Sequence, residues 1–286
     1  MSIEGFFRPK RTLNCKGKII NLSSPLVMGV INITPDSFYD GGRIRHPLDA
    51  IKRAEELLGN GADILDIGAA SSRPGAGIIE PVEERKRLMP SLKAISRQFP
   101  EAIISVDTYN SSTAMAAADN GAHMINDISS GRLDPEMFNT IGRLKLPYII
   151  MHMQGRPDNM QQNPRYRNLV MDIASFFSEK LEILNSLGVH DIIIDPGFGF
   201  GKTVEQNYQL MANLEYFRIF DLPLMVGVSR KSMINRVLGS GPEDALNGTT
   251  VLNTIALLKG ADILRVHDSR EAEEAIKIVD FYKSQE

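Results

Sequence analysis

Eight short apolar runs punctuate the chain, at 26–33, 63–68, 103–107, 123–128, 147–152, 191–196, 223–228 and 262–266. Each is nearly continuous in Val, Ile, Leu and Met, the pattern of a parallel strand buried on both faces. Between and after them lie helix-like stretches at about 47–60, 83–99, 111–121, 134–144, 166–188, 204–218, 244–259 and 269–284. Several open on start signals, such as Pro81-Val82-Glu83-Glu84 and Asp134-Pro135-Glu136. Strands alternating with helices imply right-handed βαβ crossovers, and eight such units predict an α/β fold of the (β/α)8 TIM-barrel class rather than an open doubly wound sheet. Gly17, between Thr12-Leu13 and Ile19-Ile20, predicts a short N-terminal hairpin within 11–25 that plugs the bottom of the barrel. No low-complexity linker or composition shift divides the chain. One domain over 1–286 is expected, with 1–25 as its lead.

In a barrel of this class the functional side chains come from the C-terminal ends of the strands and the loops after them. Unusual polar residues collect there: Asn32, Asp66, Asp107, Asn126 with Asp127, His152, Asp195, Ser229-Arg230-Lys231, and Arg265 with His267. Residues two apart share a face of a strand, so Arg265 and His267 are expected to point together into the mouth, and Asn126 and Asp127 to opposite sides. Asp127 is expected to cap neighbouring loop amides, whereas Asn126, level with Asp107 and Asp195, is expected to meet a ligand. Two carboxylates, a carboxamide, a lysine and an arginine suit the edge of a 2-amino-4-oxo heterocycle, whose adjacent N–H groups a carboxylate accepts in parallel. The alternative is that Asp107, Asp195 and Lys231 pair with one another.

The segments 32–38 and 71–77 combine Pro, Gly and hydroxyl residues with a charged or aromatic side chain, as lids do; plain surface loops read the same way. Asp195-Pro196-Gly197-Phe198-Gly199-Phe200-Gly201-Lys202-Thr203 fails as a phosphate-binding P-loop, because the first required glycine falls at Pro196. Its glycines still let backbone approach a ligand, on which Phe200 is placed to stack. The five histidines have no metal-binding spacing. An oxygen-ligated Mg²⁺ through Asn32 and ligand phosphates remains open.

Composition narrows the setting. With 32 Lys+Arg against 35 Asp+Glu the net charge is −3, so no global cationic field recruits nucleic acid or an anionic membrane. The single cysteine, Cys15, rules out an internal disulfide framework and suits a reducing cytoplasm. No secretory leader and no membrane span are expected from the apolar pattern.

Taken together and in order, the segments 28–38, Ser71-Ser72-Arg73-Pro74-Gly75, Ser105-Val106-Asp107-Thr108, Ile125-Asn126-Asp127, Met151-His152-Met153-Gln154-Gly155, 195–202, Ser229-Arg230-Lys231 and Arg265-Val266-His267-Asp268 resemble the dihydropteroate synthase family, from about Pro25 to Asp268. The resemblance implies a folate-pathway transferase that joins 6-hydroxymethyl-7,8-dihydropterin diphosphate to 4-aminobenzoate. It implies that Asp107, Asn126, Asp195 and Lys231 hold the pterin edge, with Met151, Phe200 and Arg265 near its faces. Asn32, Arg265 and His267 would receive the diphosphate, Asn32 with Mg²⁺, and Ser72, Arg73, Pro74, Phe200 and Ser229 would border the aminobenzoate. Asp107, Lys231, Arg265 and His267 would carry catalysis. A homodimer and a sulfonamide target are implied too, and the apolar helix near 245–259 is a candidate contact face, although burial against the barrel explains the same pattern. The chain departs from the family where Ala69-Ala70 replaces the usual Gly-Glu and Ser72 the usual Thr.

A displacement in which diphosphate leaves ahead of amine attack fits an aromatic amine, a poor nucleophile. No covalent nucleophile is expected, since Cys15 precedes the barrel and Ser229 has no evident histidine partner in sequence. A pterin-binding methyltransferase domain presenting methyltetrahydrofolate to a corrinoid protein, and a non-catalytic pterin-binding barrel, are the rival readings. The Ser-Arg-Pro-Gly loop and the diphosphate-facing residues argue against both.

Overall fold

The structure, a computed structural model, describes residues 12–33, 46–70, 77 and 79–285. Two strands, β1 (Thr12–Cys15) and β2 (Lys18–Asn21), form an antiparallel hairpin, and the Asn14 side chain accepts the Gly17 amide proton in its turn. Eight parallel strands follow: β3 (Leu26–Asn32), β4 (Ile64–Gly68), β5 (Ile103–Asp107), β6 (Met124–Asp127), β7 (Tyr148–Met151), β8 (Ile192–Asp195), β9 (Met225–Val226) and β10 (Ile263–Val266). They pair in the order β8-β7-β6-β5-β4-β3-β10-β9, and Ile194 pairs with Leu224 to complete the ring. Helices α1 (Pro47–Gly59), α2 (Pro81–Gln98), α3 (Ser111–Asp119), α4 (Met137–Leu144), α5 (Leu169–Ser186), α6 (Val204–Ala212), α7 (Ser232–Leu238), α8 (Leu246–Leu258) and α9 (Ser269–Lys283) surround the strands. The fold is a (β/α)8 TIM barrel.

The alternation of side chains along each strand builds two cores. Outward-facing Ile31, Ile67, Val106, Ile125, Ile150, Ile194 and Val266 pack under the helices. Inward-facing Met28, Ile64, Met124, Ile149, Ile193, Met225 and Ile263 fill the lower barrel, closed from below by Leu13, Cys15 and Leu22 of the hairpin segment. Burying each large apolar side chain contributes about 1.5–3 kcal/mol. Above this plug the inward positions turn polar, with Asp66, Ser105, Asp107, Asn126 and Asp195 all buried. The site therefore stands on a rigid apolar floor.

Local chemistry accounts for the helix fronts. Pro81 and Glu83-Glu84 open α2, and Thr203 with Gln206 forms a reciprocal capping box on α6. Three features differ from the sequence pattern. Asp134 does not start α4, which begins at Met137; its carboxylate accepts the Ser111 amide proton at the front of α3, 2.8 Å away. The helix expected over 204–218 stops at Ala212 and continues as a 3-10 turn from Leu214 to Phe220. Helix α7, two turns ended by Gly239, was absent from the pattern because seven residues carry too little periodicity to stand out. Among the described residues no helix is long and apolar enough to cross a membrane.

Candidate active site

Strand register brings the polar residues together. Gly68 pairs with Asp107, Asp107 with Asn126, and Met151 with Asp195, so these positions lie at the top of neighbouring strands. Arg265 reaches across from β10. Its Nε donates to Asp66 Oδ2 at 2.7 Å and an NH2 donates to Asp107 Oδ2 at 2.9 Å, while Asn126 Nδ2 donates to the same Asp66 oxygen at 3.0 Å. One guanidinium thus bridges two carboxylates, and one of those carboxylates orients the carboxamide.

Burial raises the Asp107 pKa to about 7; the Arg265 charge opposes this and the neighbouring Asp66 charge adds to it. For Arg265, burial alone would lower the pKa, but Asp66 and Asp107 outweigh it and hold the group above its ordinary value. Asp195 is also raised by burial, against the pull of Lys231, and its Oδ1 accepts the Gly197 amide proton at 2.7 Å. Lys231 donates to the Phe198 carbonyl at 2.5 Å, lies 4.7 Å from the centre of the Phe200 ring, and is lowered to about 8 by burial. Asp107, Asp195 and Lys231 therefore do not hydrogen-bond to one another: Arg265, the Gly197 amide and the Phe198 carbonyl take those places.

His267 corrects one expectation. Its Nδ1 lies 3.1 Å from Ser229 Oγ, which also accepts the His267 amide proton at 3.2 Å, so Ser229 has a histidine beside it after all. The 38-residue separation hid the pair. Burial, reinforced by the Arg265 charge, lowers His267 to about 3, so its ring is neutral near pH 7. A serine–histidine nucleophile remains disfavoured, because a histidine this weakly basic is a poor proton acceptor.

The glycine-rich loop after β8 curls over a lysine. Lys202 is buried, and its Nζ lies 2.8 Å from the Gly197 carbonyl, 3.1 Å from that of Phe200 and 3.0 Å from His152 Nδ1. Gly197 permits this with φ of 73°, and a Cβ there would fall 1.9 Å from the His152 carbonyl oxygen. Met151 and Phe200 line an apolar shelf with Tyr109, Ile128, Met153 and Met160. Asn32 ends β3 half-buried, and its side chain makes no hydrogen bond among the described residues. Asp127 accepts amide protons from Ser129 and Gly131 and the Tyr148 hydroxyl proton. Ser72, Arg73 and Pro74, and the loop after Ile33, lie outside the described residues.

Sequence reasoning gave Asp66 and Lys202 no role. Asp66 was within reach of it, since the alternation that turns Asp107 inward does the same for Asp66. Nothing in one sequence shows that Lys202 lies under its own loop. Among the described residues, no three His, Cys, Asp or Glu side chains are grouped to hold a metal ion.

Residues 28–267 match the family of pterin-binding enzymes. The chain is 42% identical over 270 residues to the dihydropteroate synthase of Escherichia coli strain K12, an alignment covering 94% of this chain and 95% of that protein. Its fold superposes on the Yersinia pestis dihydropteroate synthase in complex with a sulfonamide drug, with a TM-score of 0.92 and 41% identity over 96% of this chain and 99% of the other. The Xanthomonas albilineans dihydropteroate synthase with 4-aminobenzoic acid gives a TM-score of 0.89 at 35% identity, over 96% and 98%.

Proposed function

The chain belongs to the pterin-binding enzymes and, within them, to the dihydropteroate synthases, and from that premise we propose which of its residues carry the reaction. The family's activity joins 6-hydroxymethyl-7,8-dihydropterin diphosphate to 4-aminobenzoate and releases diphosphate, a step of folate biosynthesis. The observation that carries the assignment is the polar layer of Asp66, Asp107, Asn126 and Arg265 above an apolar plug. Asp107, Asn126, Asp195 and Lys231 hold the pterin by its edge, where unpaired groups would each cost about 1–3 kcal/mol. Met151, Phe200 and Arg265 pack near its faces. Ser229 and Phe200 border the aminobenzoate, with Ser72, Arg73 and Pro74 completing that subsite; the aminobenzoate and sulfonamide complexes of the relatives support this placement.

Catalysis falls mainly on the leaving group. Arg265 places a fixed charge, and the neutral His267 a ring hydrogen bond, where diphosphate gathers negative charge; both are positioned before the substrate arrives. We infer that the C–O bond to diphosphate breaks ahead of amine attack, with the electron-rich dihydropterin delocalising the positive charge on its exocyclic carbon. Lys231 and Asp195 keep the pterin oriented meanwhile. The Asn32 carboxamide, a hard oxygen donor unengaged among the described residues, fits a Mg²⁺ ion that takes its other ligands from diphosphate and water. When bound, Mg²⁺ would neutralise charge on the departing diphosphate.

We also propose a homodimer formed through α8 and α9. Ile278, Phe281 and Tyr282 form one exposed stripe on α9, Phe281 being 71% exposed, and Val251 and Leu258 project from the adjoining α8. The cytoplasm is the compartment we assign, since the one cysteine is buried and its thiol is pushed up to about 12 by burial. The test of function is diphosphate release that depends on 4-aminobenzoate, measured for the wild type, Lys231→Ala and Arg265→Ala. Both variants should lose turnover by orders of magnitude. Near-normal rates would overturn their assignments.

A further inference from the structure

Two residues of the motifs that carry the resemblance have no substrate-facing role in this reading. Arg230 lies between Ser229 and Lys231, and Asp268 follows His267. Their side chains meet as a parallel fork, Nε to Oδ2 at 2.8 Å and NH2 to Oδ1 at 2.8 Å, with both largely shielded from solvent. Fork geometry of this kind fixes orientation as well as distance. The same guanidinium reaches the Pro242 and Glu243 carbonyls at 3.4 Å, so it also ties the turn between α7 and α8.

The backbone beneath it is set against its own preference. Arg230 has φ of 55°, in the left-handed region that a non-glycine residue enters only at a cost of roughly 1–2 kcal/mol. Thr249 Oγ1 on α8 accepts the Arg230 amide proton at 3.0 Å, holding that turn from the other side. The turn aims the two flanking side chains apart: Ser229 toward His267, and Lys231 toward the loop after β8. From α1, Arg53 donates to the His267 carbonyl at 2.5 Å and steadies the backbone immediately before Asp268.

We propose that Arg230 and Asp268 form a clasp between the loops after β9 and β10, setting the spacing of Lys231 from Arg265 and His267, and that turnover depends on this spacing. The proposal rests on the function assigned above. Lys231 serves the pterin while Arg265 and His267 serve the diphosphate, and the scissile bond joins those two halves of one substrate. A displacement of about 1 Å between such groups costs on the order of a hundredfold in rate. Arg230 and Asp268 are positioning residues, because neither needs to touch a substrate.

The test compares wild type, Arg230→Ala, Asp268→Asn and the double variant, all well below their unfolding temperatures. Turnover is normalised to pterin-binding sites counted by titration, which removes any unfolded fraction. Each single variant should lose turnover about ten- to a hundredfold. The double variant should be no worse than the poorer single, since both remove one interaction. Free guanidinium at non-denaturing concentration should restore turnover to Arg230→Ala and leave Asp268→Asn unchanged. Normalised turnover near wild type in both singles, losses that multiply in the double, or no rescue by guanidinium would each overturn the clasp. A wild type with no aminobenzoate-dependent diphosphate release would overturn the functional assignment and the clasp with it. An active wild type with unimpaired clasp variants overturns the clasp alone.

Discussion

Replacing Asp66 with asparagine isolates the charge in the polar layer from its geometry. The carboxylate accepts a charged hydrogen bond from Arg265 and a neutral one from Asn126, both at Oδ2, while its buried Oδ1 has no hydrogen-bond partner among the described residues. A carboxamide oxygen can keep both bonds. The charged bond, about 1.5–3 kcal/mol, weakens toward the neutral 0.5–1.5 kcal/mol, and relief from burying an ion offsets part of the loss. Asp107 reports the change. Asp66 is one of the charges that raise its pKa, and with that charge removed the Arg265 guanidinium is left with Asp107 as its one carboxylate partner in this layer, so both effects lower it. Two carboxylates sharing one guanidinium interact by a few kcal/mol at an effective dielectric near 20, which corresponds to a fall of about one to two pH units. If Asp107 accepts the pterin N–H groups as a carboxylate, as proposed, affinity should rise through about pH 7 in the wild type and at lower pH in Asp66→Asn. The chain has no tryptophan, which leaves pterin fluorescence clear for the titration between pH 5 and 8.5. Stability offers a second readout with a defined sign. A carboxylate raised on folding holds its proton in the native state while the unfolded chain has lost it, so its contribution is full below about pH 4 and is lost as pH climbs to about 7. Asp66→Asn should reduce that decline in urea unfolding. A binding midpoint that stays in place or moves upward would refute the coupling.

Lys202→Met should leave the Gly197 and Phe200 carbonyls without their shared donor and destabilise the protein by about 2–4 kcal/mol in urea unfolding. Its aminobenzoate KM should rise, because Phe200 sits on the same loop; unchanged stability would show that the lysine does not brace the loop. Phe281→Asp places a charge in the exposed stripe of α9 and should yield a monomer by analytical ultracentrifugation with the far-ultraviolet spectrum retained. A wild type that is already monomeric, or a Phe281→Asp variant that stays dimeric, would refute the assigned face.

The barrel was legible because its strands announce themselves: runs such as Ile192-Ile193-Ile194 suit little other than a sheet covered on both faces. The inward set was legible by the same logic, as alternation picks out Asp107, Asn126, Asp195 and Arg265 once the strand ends are known. What stayed hidden were pairings across long separations. Arg265 meets Asp66 from 199 residues away and Asp107 from 158, and no local pattern specifies which carboxylate a guanidinium selects. Lys202 was hidden for a different reason. It follows a glycine-rich stretch and reads as an exposed loop cation, and left-handed turns at Gly197, Gly199 and Gly201 fold the carbonyls back over it. His152, prominent at a strand end, places its Nδ1 3.0 Å from that buried lysine and packs against the rings of Tyr166 and Phe176.

The charged and polar side chains at the mouth are already engaged before any ligand binds. Arg265 is held by two aspartates, Lys231 by a carbonyl and Ser229 by His267. Such a site loses little freedom on binding, so more of the contact energy remains available for holding the substrate. The cost lies in folding. Asp107, Asp127 and Asp195 are all raised by burial, and Lys231 and His267 lowered, so each group resists its charged form where it stands. A chain with net charge −3 thus keeps its functional charges in a buried layer whose opposing signs hold one another in place. On the proposed assignment, diphosphate brings negative charge beside Arg265, which opposes the burial and the Arg265 repulsion that keep His267 neutral and so favours its proton as that charge builds.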